Sequence, residues 1–179
     1  MSIIIRIIDK ISDVFGIVAG FTMIIGVGLI LTEIIVRSVF GSSIYITHEY
    51  TGYFMVAITL FGLAYTLKEK GHIRLSLLHR IVKPGRGRVI LDIYTFICGF
   101  IIFAIITYAT LDFFLDTYAK GTRSMQITKT YLAIPQFAMP LGSFVMSLQF
   151  IAEVLKSMIK LRTGEFDEEE DAESEALGR

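Results

Sequence analysis

The sequence predicts an all-α membrane protein with four transmembrane helices and both termini in the cytoplasm. Four windows of 18 to 22 residues contain no Asp, Glu, Lys or Arg, although the chain has 17 acidic and 17 basic side chains. A bilayer core about 30 Å thick is crossed by roughly 20 apolar residues of helix. The windows are 14–32, 50–67, 93–111 and 131–152.

This charge distribution excludes most other fold classes. Helices of a soluble bundle carry a polar stripe that faces water. Strands of a membrane β-barrel alternate apolar and polar residues over about half this length. Neither pattern occurs in the four windows. A disulfide scaffold is excluded because the only cysteine, Cys98, lies within an apolar window.

The first span is predicted to be an uncleaved signal anchor. Arg6 and Lys10 precede an uncharged run of 19 residues, which is longer than the roughly 7–15 residues of a signal-peptide core. At the outer end of this span, Glu33 and Arg37 are four residues apart and share a helix face. We interpret them as a structural ion pair. The alternative is a proton or ion relay that includes Glu49 at the start of span 2.

The distribution of Lys and Arg predicts the orientation, because cytoplasmic segments carry an excess of these residues. Thirteen of them lie in the N-terminus, the loop between spans 2 and 3, and the C-terminus. The two remaining loops carry four. Both termini are therefore predicted to be cytoplasmic.

The loop between spans 2 and 3 is predicted to contain a short amphipathic helix at the cytoplasmic membrane surface. Within 73–83, Ile73, Leu77 and Ile81 recur every four residues, and Pro84 follows. Basic side chains of this segment are expected to meet anionic head groups. They are Arg74, Arg80 and Lys83.

Asp112, Asp116 and Lys120 are spaced by four residues, which predicts that the third helix projects beyond the membrane with paired charges. The C-terminal segment carries eight acidic residues within 165–175. Few apolar residues accompany them, so a disordered tail is expected. The predicted organisation is a transmembrane domain over 1–160 and an acidic cytoplasmic tail over 161–179.

Small and polar residues in spans 1 and 4 predict contact with other helices. Gly16 and Gly20 in span 1, and Ser143 in span 4, allow close approach of helix backbones. Gln149 is a residue that a lipid-facing surface would not favour. Pro140 lacks the N–H of a helix interior and should kink span 4.

No nucleotide-binding, metalloprotease or hydrolase motif occurs in the sequence. The four spans also contain few polar groups for a substrate path and show no inverted repeat. We therefore predict a non-enzymatic accessory or scaffold subunit, with no cofactor, metal or nucleic-acid partner. Two alternatives stay open: a stand-alone proton-coupled exporter that acts through Glu33, and a membrane enzyme that uses His72 or His79.

The sequence resembles a known family of membrane subunits. The matching residues are Arg37, Glu49, Gly62, Ala64, the run Lys-Gly-His-Ile-Arg-Leu over 70–75, Ser124, Ile134-Pro135 and Pro140-Leu141-Gly142. This pattern is similar to the small membrane subunit, the Q or DctQ-type component, of tripartite ATP-independent periplasmic (TRAP) transporters. The resemblance covers roughly residues 10–155. It departs near Glu49 and after Pro135, where many members have Trp.

The resemblance implies a four-helix subunit of the bacterial inner membrane that binds a large elevator-type subunit. It also implies a periplasmic binding protein and Na⁺-coupled uptake of an organic anion, such as sialic acid, another sugar acid or a C4-dicarboxylate. Sialic acid is the preferred substrate prediction. We expect membrane lipids and the large subunit to contact the four spans. The predicted large-subunit interface is Gly16, Gly20, Pro140, Ser143 and Gln149, and the predicted docking cations for the binding protein are Lys120, Arg123 and Lys129.

Overall fold

The computed structural model describes residues 3–69 and 86–163. It has four helices long and apolar enough to cross a membrane, as the charge-free windows predict. A one-turn helix, α4, precedes the last of them. The helices are α1 (Ile3–Phe40), α2 (Ile46–Lys68), α3 (Arg86–Lys120), α4 (Ala133–Gln136) and α5 (Ala138–Thr163).

The helices extend well beyond the charge-free windows. With 38 residues, α1 is about 57 Å long at roughly 1.5 Å per residue, nearly twice a bilayer core. The third helix continues to Lys120, whose Nζ lies 2.7 Å from Asp116 Oδ2. Hydropathy therefore marks the part of each helix suited to lipid, whereas the helix itself ends where the backbone turns.

Two glycines follow the longest helices. Gly41 after α1 has φ +60° and Gly121 after α3 has φ +62°, a left-handed conformation that glycine adopts without a Cβ clash. The Gly41 N–H donates to the Arg37 carbonyl over 3.2 Å. These turns direct the chain back toward the bundle.

The last helix forms the centre of the bundle. One side of α5 packs on α3, and the other side packs on the pair formed by α1 and α2. The hydrophobic core consists of Ala64 and Leu67 from α2 and of Val145, Met146 and Phe150 from α5. In the stretches best suited to cross a membrane, 56% of the last span, Ala133–Thr163, is buried, against 11% of α1 and 6% of α3. The outer helices therefore present most of their apolar surface to the surroundings.

Close backbone contact joins α2 to α5. A Cβ added to Gly142 would lie 2.7 Å from Leu60 Cβ and 3.0 Å from the Leu60 carbonyl carbon and oxygen. Because backbone atoms cannot move aside as a side chain can, this position requires glycine. The pattern of small residues in span 4 thus serves packing within the chain.

The break before α5 follows from proline chemistry. Pro140 has no N–H to donate to the Gln136 carbonyl. The helical pattern is interrupted at Phe137, between α4 and α5, rather than bent in mid-span. The Leu141 N–H donates to the Phe137 carbonyl over 3.4 Å. Phe137 itself keeps helical dihedral angles, with φ −57° and ψ −29°, so the kink expected at Pro140 stays a prediction.

The loop between α3 and α4 folds back on itself, and we call residues 122–132 the outer hairpin. Arg123 and Tyr131 form an antiparallel bridge. The Ser124 N–H donates to the Thr130 carbonyl over 2.8 Å, and the Leu132 N–H donates to the Thr122 carbonyl over 3.1 Å. The predicted amphipathic helix with Arg74, Arg80 and Lys83, and the acidic tail beyond Thr163, lie outside the described residues.

Candidate functional site at the two ends of the bundle

We name the ends of the bundle from the predicted orientation. The inner end holds the start of α1 and the ends of α2 and α5. The outer end holds the α1–α2 connection and the outer hairpin. Among the described residues, the ion pairs Lys68–Asp13 and Lys156–Asp9 join different helices at the inner end. The carboxylates of Glu33 and Glu49 belong to the outer end.

A buried polar network joins α1 to α5, and we call it the inner cluster. Ser12 Oγ donates to Gln149 Oε1 over 2.6 Å. Gln149 Nε2 donates to Asp9 Oδ1 over 3.1 Å and to Glu153 Oε1 over 3.2 Å. Lys156 Nζ donates to the same two carboxylates, over 2.8 Å and 2.7 Å. Gln149 is 0% exposed. The hydrogen bonds of this network therefore replace hydrogen bonds to water for its five side chains.

A second contact at the inner end joins α1 to α2. Lys68 pairs with Asp13 of α1, and its Nζ lies 3.3 Å from Glu69 Oε1. Together with the inner cluster, this pair ties the start of α1 to the ends of α2 and α5. The N-terminal and C-terminal ends of the described bundle therefore lie on the same side, as four antiparallel spans require.

At the outer end, Glu33 binds the connection between α1 and α2. Its Oε1 accepts from Arg37 Nη2 over 2.5 Å and from Ser43 Oγ over 3.0 Å. Its Oε2 accepts from the Ile44 N–H over 2.6 Å. Glu33 is 6% exposed. The Glu33 carboxylate thus pairs with Arg37 and also fixes the α1–α2 loop through Ser43 and Ile44.

Glu49 binds the outer hairpin from the first turn of α2. Its Oε1 accepts from Tyr53 Oη over 2.6 Å, and its Oε2 accepts from Thr128 Oγ1. Thr130 Oγ1 in turn donates to Thr128 Oγ1 over 2.9 Å and lies 3.4 Å from Tyr50 Oη. These contacts draw a loop that leaves α3 across the end of the bundle to α2.

Three cations occupy the same end. Lys120 is exposed and pairs with Asp116 at the end of α3. Arg123 and Lys129 are exposed on the outer hairpin, and neither forms an ion pair within residues 3–69 and 86–163. Lys129 has φ 48°, at a turn where its N–H donates to the Gln126 carbonyl over 3.1 Å. The hairpin therefore presents two unpaired positive charges.

Comparison with known proteins identifies the chain. The family model described as "Tripartite ATP-independent periplasmic transporters, DctQ component" matches residues 26–159. The chain belongs to the DctQ family. A curated relative, the ectoine TRAP transporter small permease protein TeaB of Halomonas elongata, is 24% identical over 149 residues. That alignment covers 81% of this chain and 76% of the relative.

DctQ membership makes the chain a small permease subunit of a TRAP transporter and a multi-pass membrane protein. The family implies partnership with a large TRAP membrane subunit and a binding protein. The family match confirms the resemblance inferred from Glu49, Pro135 and Pro140. The matching family model describes a transporter component, whereas the alternative hypotheses were a stand-alone exporter that acts through Glu33 and an enzyme that uses His72 or His79. Both histidines lie outside the described residues.

The structure places the five residues of the predicted DctQ–large-subunit interface differently from one another. Pro140, Ser143 and Gln149 are buried within the chain. Gly16 faces the Tyr65 ring, whose Cγ would lie 2.6 Å from an added Cβ. Gly20 is exposed, with nothing within 4 Å of an added Cβ. Small and polar residues suit contacts between helices of one chain as well as contacts between chains, and here four of the five serve the first role.

The sequence analysis missed the partners of Gln149. Asp9, Ser12, Glu153 and Lys156 were not singled out, although two signals were present. Asp9 and Ser12 are three residues apart, and Gln149, Glu153 and Lys156 follow at intervals of four and three, so each set shares a helix face. Pairing the two faces required knowing that α1 and α5 are neighbours.

The described part of the chain does not bring possible metal ligands together. No group of three or more His, Cys, Asp or Glu residues that could hold a metal ion lies within it. The carboxylates of Glu33 and Glu49 already accept from side-chain and backbone donors of the same chain. The arrangement holds the helices together at the inner end and shapes the water-facing surface at the outer end.

Proposed function

We propose that this DctQ subunit is a fixed scaffold for the large membrane subunit, with an outer hairpin that helps dock the periplasmic binding protein. One observation carries the proposal. The ionised side chains of the described residues are gathered at the two ends of the bundle, while the outward faces of α1 and α3 are long and apolar. Such a subunit can contact lipid or another membrane protein but does not offer a transported solute a polar route.

The middle of the bundle supports a scaffold role. Phe150 lies between Phe96 and Phe103, with ring centroids 6.4 Å and 5.7 Å apart. Phe15 packs edge-to-face on Phe61 at 5.1 Å. Aromatic rings in contact leave no room for an ion or a solute. A body packed in this way suits a static partner for a subunit that moves.

We place the large subunit on the exposed face of α1 around Gly20. Ile17, Phe21 and Ile24 are 60%, 64% and 69% exposed, and they flank a glycine whose added Cβ would have nothing within 4 Å among the described residues. A glycine among large apolar residues forms a depression into which a partner side chain can fit. Of the five residues first predicted for this interface, Gly20 therefore remains in the proposal.

The binding protein is proposed to dock at the outer end, on Lys120, Arg123 and Lys129. Exposed cations accelerate encounter with an acidic surface, and salt screens this effect. The count of Lys and Arg supports the orientation with both termini inside, and the family resemblance supports a bacterial inner membrane. In that orientation these three cations would lie in the periplasm.

The transported solute is proposed to be an organic anion taken up with Na⁺, as the family resemblance implies. Sialic acid and a C4-dicarboxylate are the first candidates. Because the relative TeaB is named for an ectoine transporter, ectoine belongs in the same test.

Reconstitution into proteoliposomes tests the proposal. The purified chain alone is compared with the chain plus the large subunit, the binding protein and an inward Na⁺ gradient, for each solute. We expect uptake in the complete system and none with the chain alone. The double variant Arg123→Glu/Lys129→Glu should raise the binding-protein concentration for half-maximal uptake about fivefold to tenfold.

Two results would overturn parts of the proposal. Uptake by the chain alone would refute the scaffold role and restore the exporter hypothesis. Unchanged half-maximal concentration in the Arg123→Glu/Lys129→Glu variant would refute docking on the hairpin. The matched control reverses two exposed inner-end cations, Lys10→Glu/Arg162→Glu. It should leave the requirement for binding protein unchanged.

A further inference from the structure

The outer hairpin has two distinct sides. Going along it, the exposed residues Arg123, Met125, Ile127 and Lys129 recur at every second position, whereas Ser124, Thr128 and Thr130 are partly buried and Gln126 at the tip is exposed. Met125 is 105% exposed and Ile127 is 73% exposed. Two large apolar side chains at the tip of a hydrogen-bonded loop are therefore presented outward between two unpaired cations.

The inward side of the hairpin is fastened to one carboxylate. Thr128 Oγ1 donates to Glu49, and Thr130 is linked to Thr128 and to Tyr50. A bond from a hydroxyl to a carboxylate is charge-assisted and stronger than one between neutral groups. Glu49 therefore holds the side of the hairpin opposite to the exposed apolar pair.

We propose that Arg123, Met125, Ile127 and Lys129 form a preordered docking face for an apolar recess with an acidic rim on the periplasmic binding protein, and that Glu49 is the residue that positions this face. The proposal rests on the proposed function, and it adds the apolar contact and the positioning residue. Glu49 does not touch the partner and acts through the hairpin hydroxyls that bind it, Thr128 and Ser124.

The geometry favours a soluble protein over the lipid surface as the occupant. The hairpin leaves α3 and is bound across the end of the bundle to Glu49 of α2, so in the predicted orientation it lies at the periplasmic end. Two cations that flank a pair of apolar side chains match an acidic rim around a recess. A loop ordered before binding loses little conformational entropy when it docks.

The carboxylate at Glu33 is the natural contrast to Glu49. Both lie at the outer end and both accept hydrogen bonds from a loop. Glu33 binds Ser43 and Ile44 in the α1–α2 connection, whereas Glu49 binds the hairpin. A variant of Glu33 removes a similar carboxylate at the same end without touching the proposed docking face.

The test uses the complete transporter in proteoliposomes with the full-length chain, and it has two readouts. The first is the binding-protein concentration for half-maximal uptake, with the maximal rate measured at saturation. The second is hairpin order, measured by pulsed electron spin resonance between a label at position 108, where the Tyr108 side chain of α3 is exposed, and a label at position 126. The variants are Glu49→Ala, Thr128→Val and Met125→Ser/Ile127→Ser, with Glu33→Gln as control. Thr128→Val keeps the shape of the side chain and leaves α2 intact if Glu49→Ala disturbs folding.

We expect Glu49→Ala and Thr128→Val to broaden the label distance distribution and to raise the half-maximal concentration about tenfold. Neither should change the maximal rate. Met125→Ser/Ile127→Ser should raise the same concentration by a similar factor while the distance distribution stays narrow. Glu33→Gln should leave both readouts of the hairpin unchanged.

Each contrary result overturns a named part of the proposal. A narrow distribution in both Glu49→Ala and Thr128→Val refutes the positioning role. A broadened distribution with unchanged uptake refutes the hairpin as a docking face while leaving the scaffold function in place. Two results together would assign the apolar pair to the lipid surface and refute the docking face. They are an unchanged half-maximal concentration in Met125→Ser/Ile127→Ser and a label at position 126 whose depth cannot be distinguished from that of the membrane surface. Failure of the wild-type chain to form a complex with the large subunit would instead refute the proposed function itself.

Discussion

The two ends of this bundle use polar side chains for different purposes. At the inner end, Asp9, Gln149 and Lys156 connect one transmembrane helix to another. At the outer end, Glu33 and Glu49 connect a helix to a loop. Contacts between helices hold the body of the subunit together, whereas contacts to loops shape the surface at the outer end. We therefore expect the inner end to carry stability and the outer end to carry the proposed docking.

The largest effect is expected from Gln149→Leu. This change leaves Ser12 and Asp9 without their buried amide partner and should lower the free energy of unfolding by about 2 kcal/mol. Unfolding in mixed detergent micelles, followed by circular dichroism, measures it. The matched control is Gln136→Leu, because Gln136 Oε1 is buried without a hydrogen-bond partner in the structure. That variant should be neutral or more stable, and equal losses in both variants would argue against the inner cluster as the source.

A smaller and more local effect is expected from Glu33→Gln. The neutral amide oxygen accepts the Ile44 N–H and the Arg37 guanidinium more weakly, at a cost of about 1 kcal/mol. Hydrogen exchange at the Ile44 amide should become faster, while exchange in the middle of α1 and α2 stays slow. Faster exchange throughout both helices would show that Glu33 stabilises the body of the subunit, and the contrast between the two ends would then fail.

The smallest effect on stability is expected from Lys120→Ala. The Lys120 and Asp116 side chains are 66% and 55% exposed, and exposed ion pairs contribute roughly 0–1 kcal/mol. The free energy of unfolding should therefore change by less than about 0.5 kcal/mol. Any loss of uptake at limiting binding protein can then be assigned to docking. A loss of stability comparable to that of Gln149→Leu would contradict the division of roles.

The fold was predictable from the sequence to a large extent. Four charge-free windows of the right length predicted four long helices, and the spacing of Asp116 and Lys120 predicted the extension of α3. The proximity of Glu33 and Arg37 followed from a separation of four residues. These features are local, since each depends on the composition or the helical spacing of one segment.

The candidate site was predictable only in part. Lys120, Arg123 and Lys129 share a loop region in the sequence and share an end in the structure. Glu49 and Thr128 are 79 residues apart, and Ser12 and Gln149 are 137 residues apart, so no local pattern could pair them. Gln149 was expected to face another subunit, whereas it is buried within this one.

The number of spans, their approximate limits and the segregation of charge were determined by the sequence alone. The physical reason is that the cost of placing charge in hydrocarbon depends on each segment by itself. The tertiary structure decided that α5 is the central helix and which side of each helix faces inward. In a bilayer, lipid is as apolar as a protein core, so hydrophobicity does not distinguish the two sides of a helix. Close packing at Gly142 and the hydrogen bonds of the inner cluster instead determine which side of a helix faces the interior of the bundle.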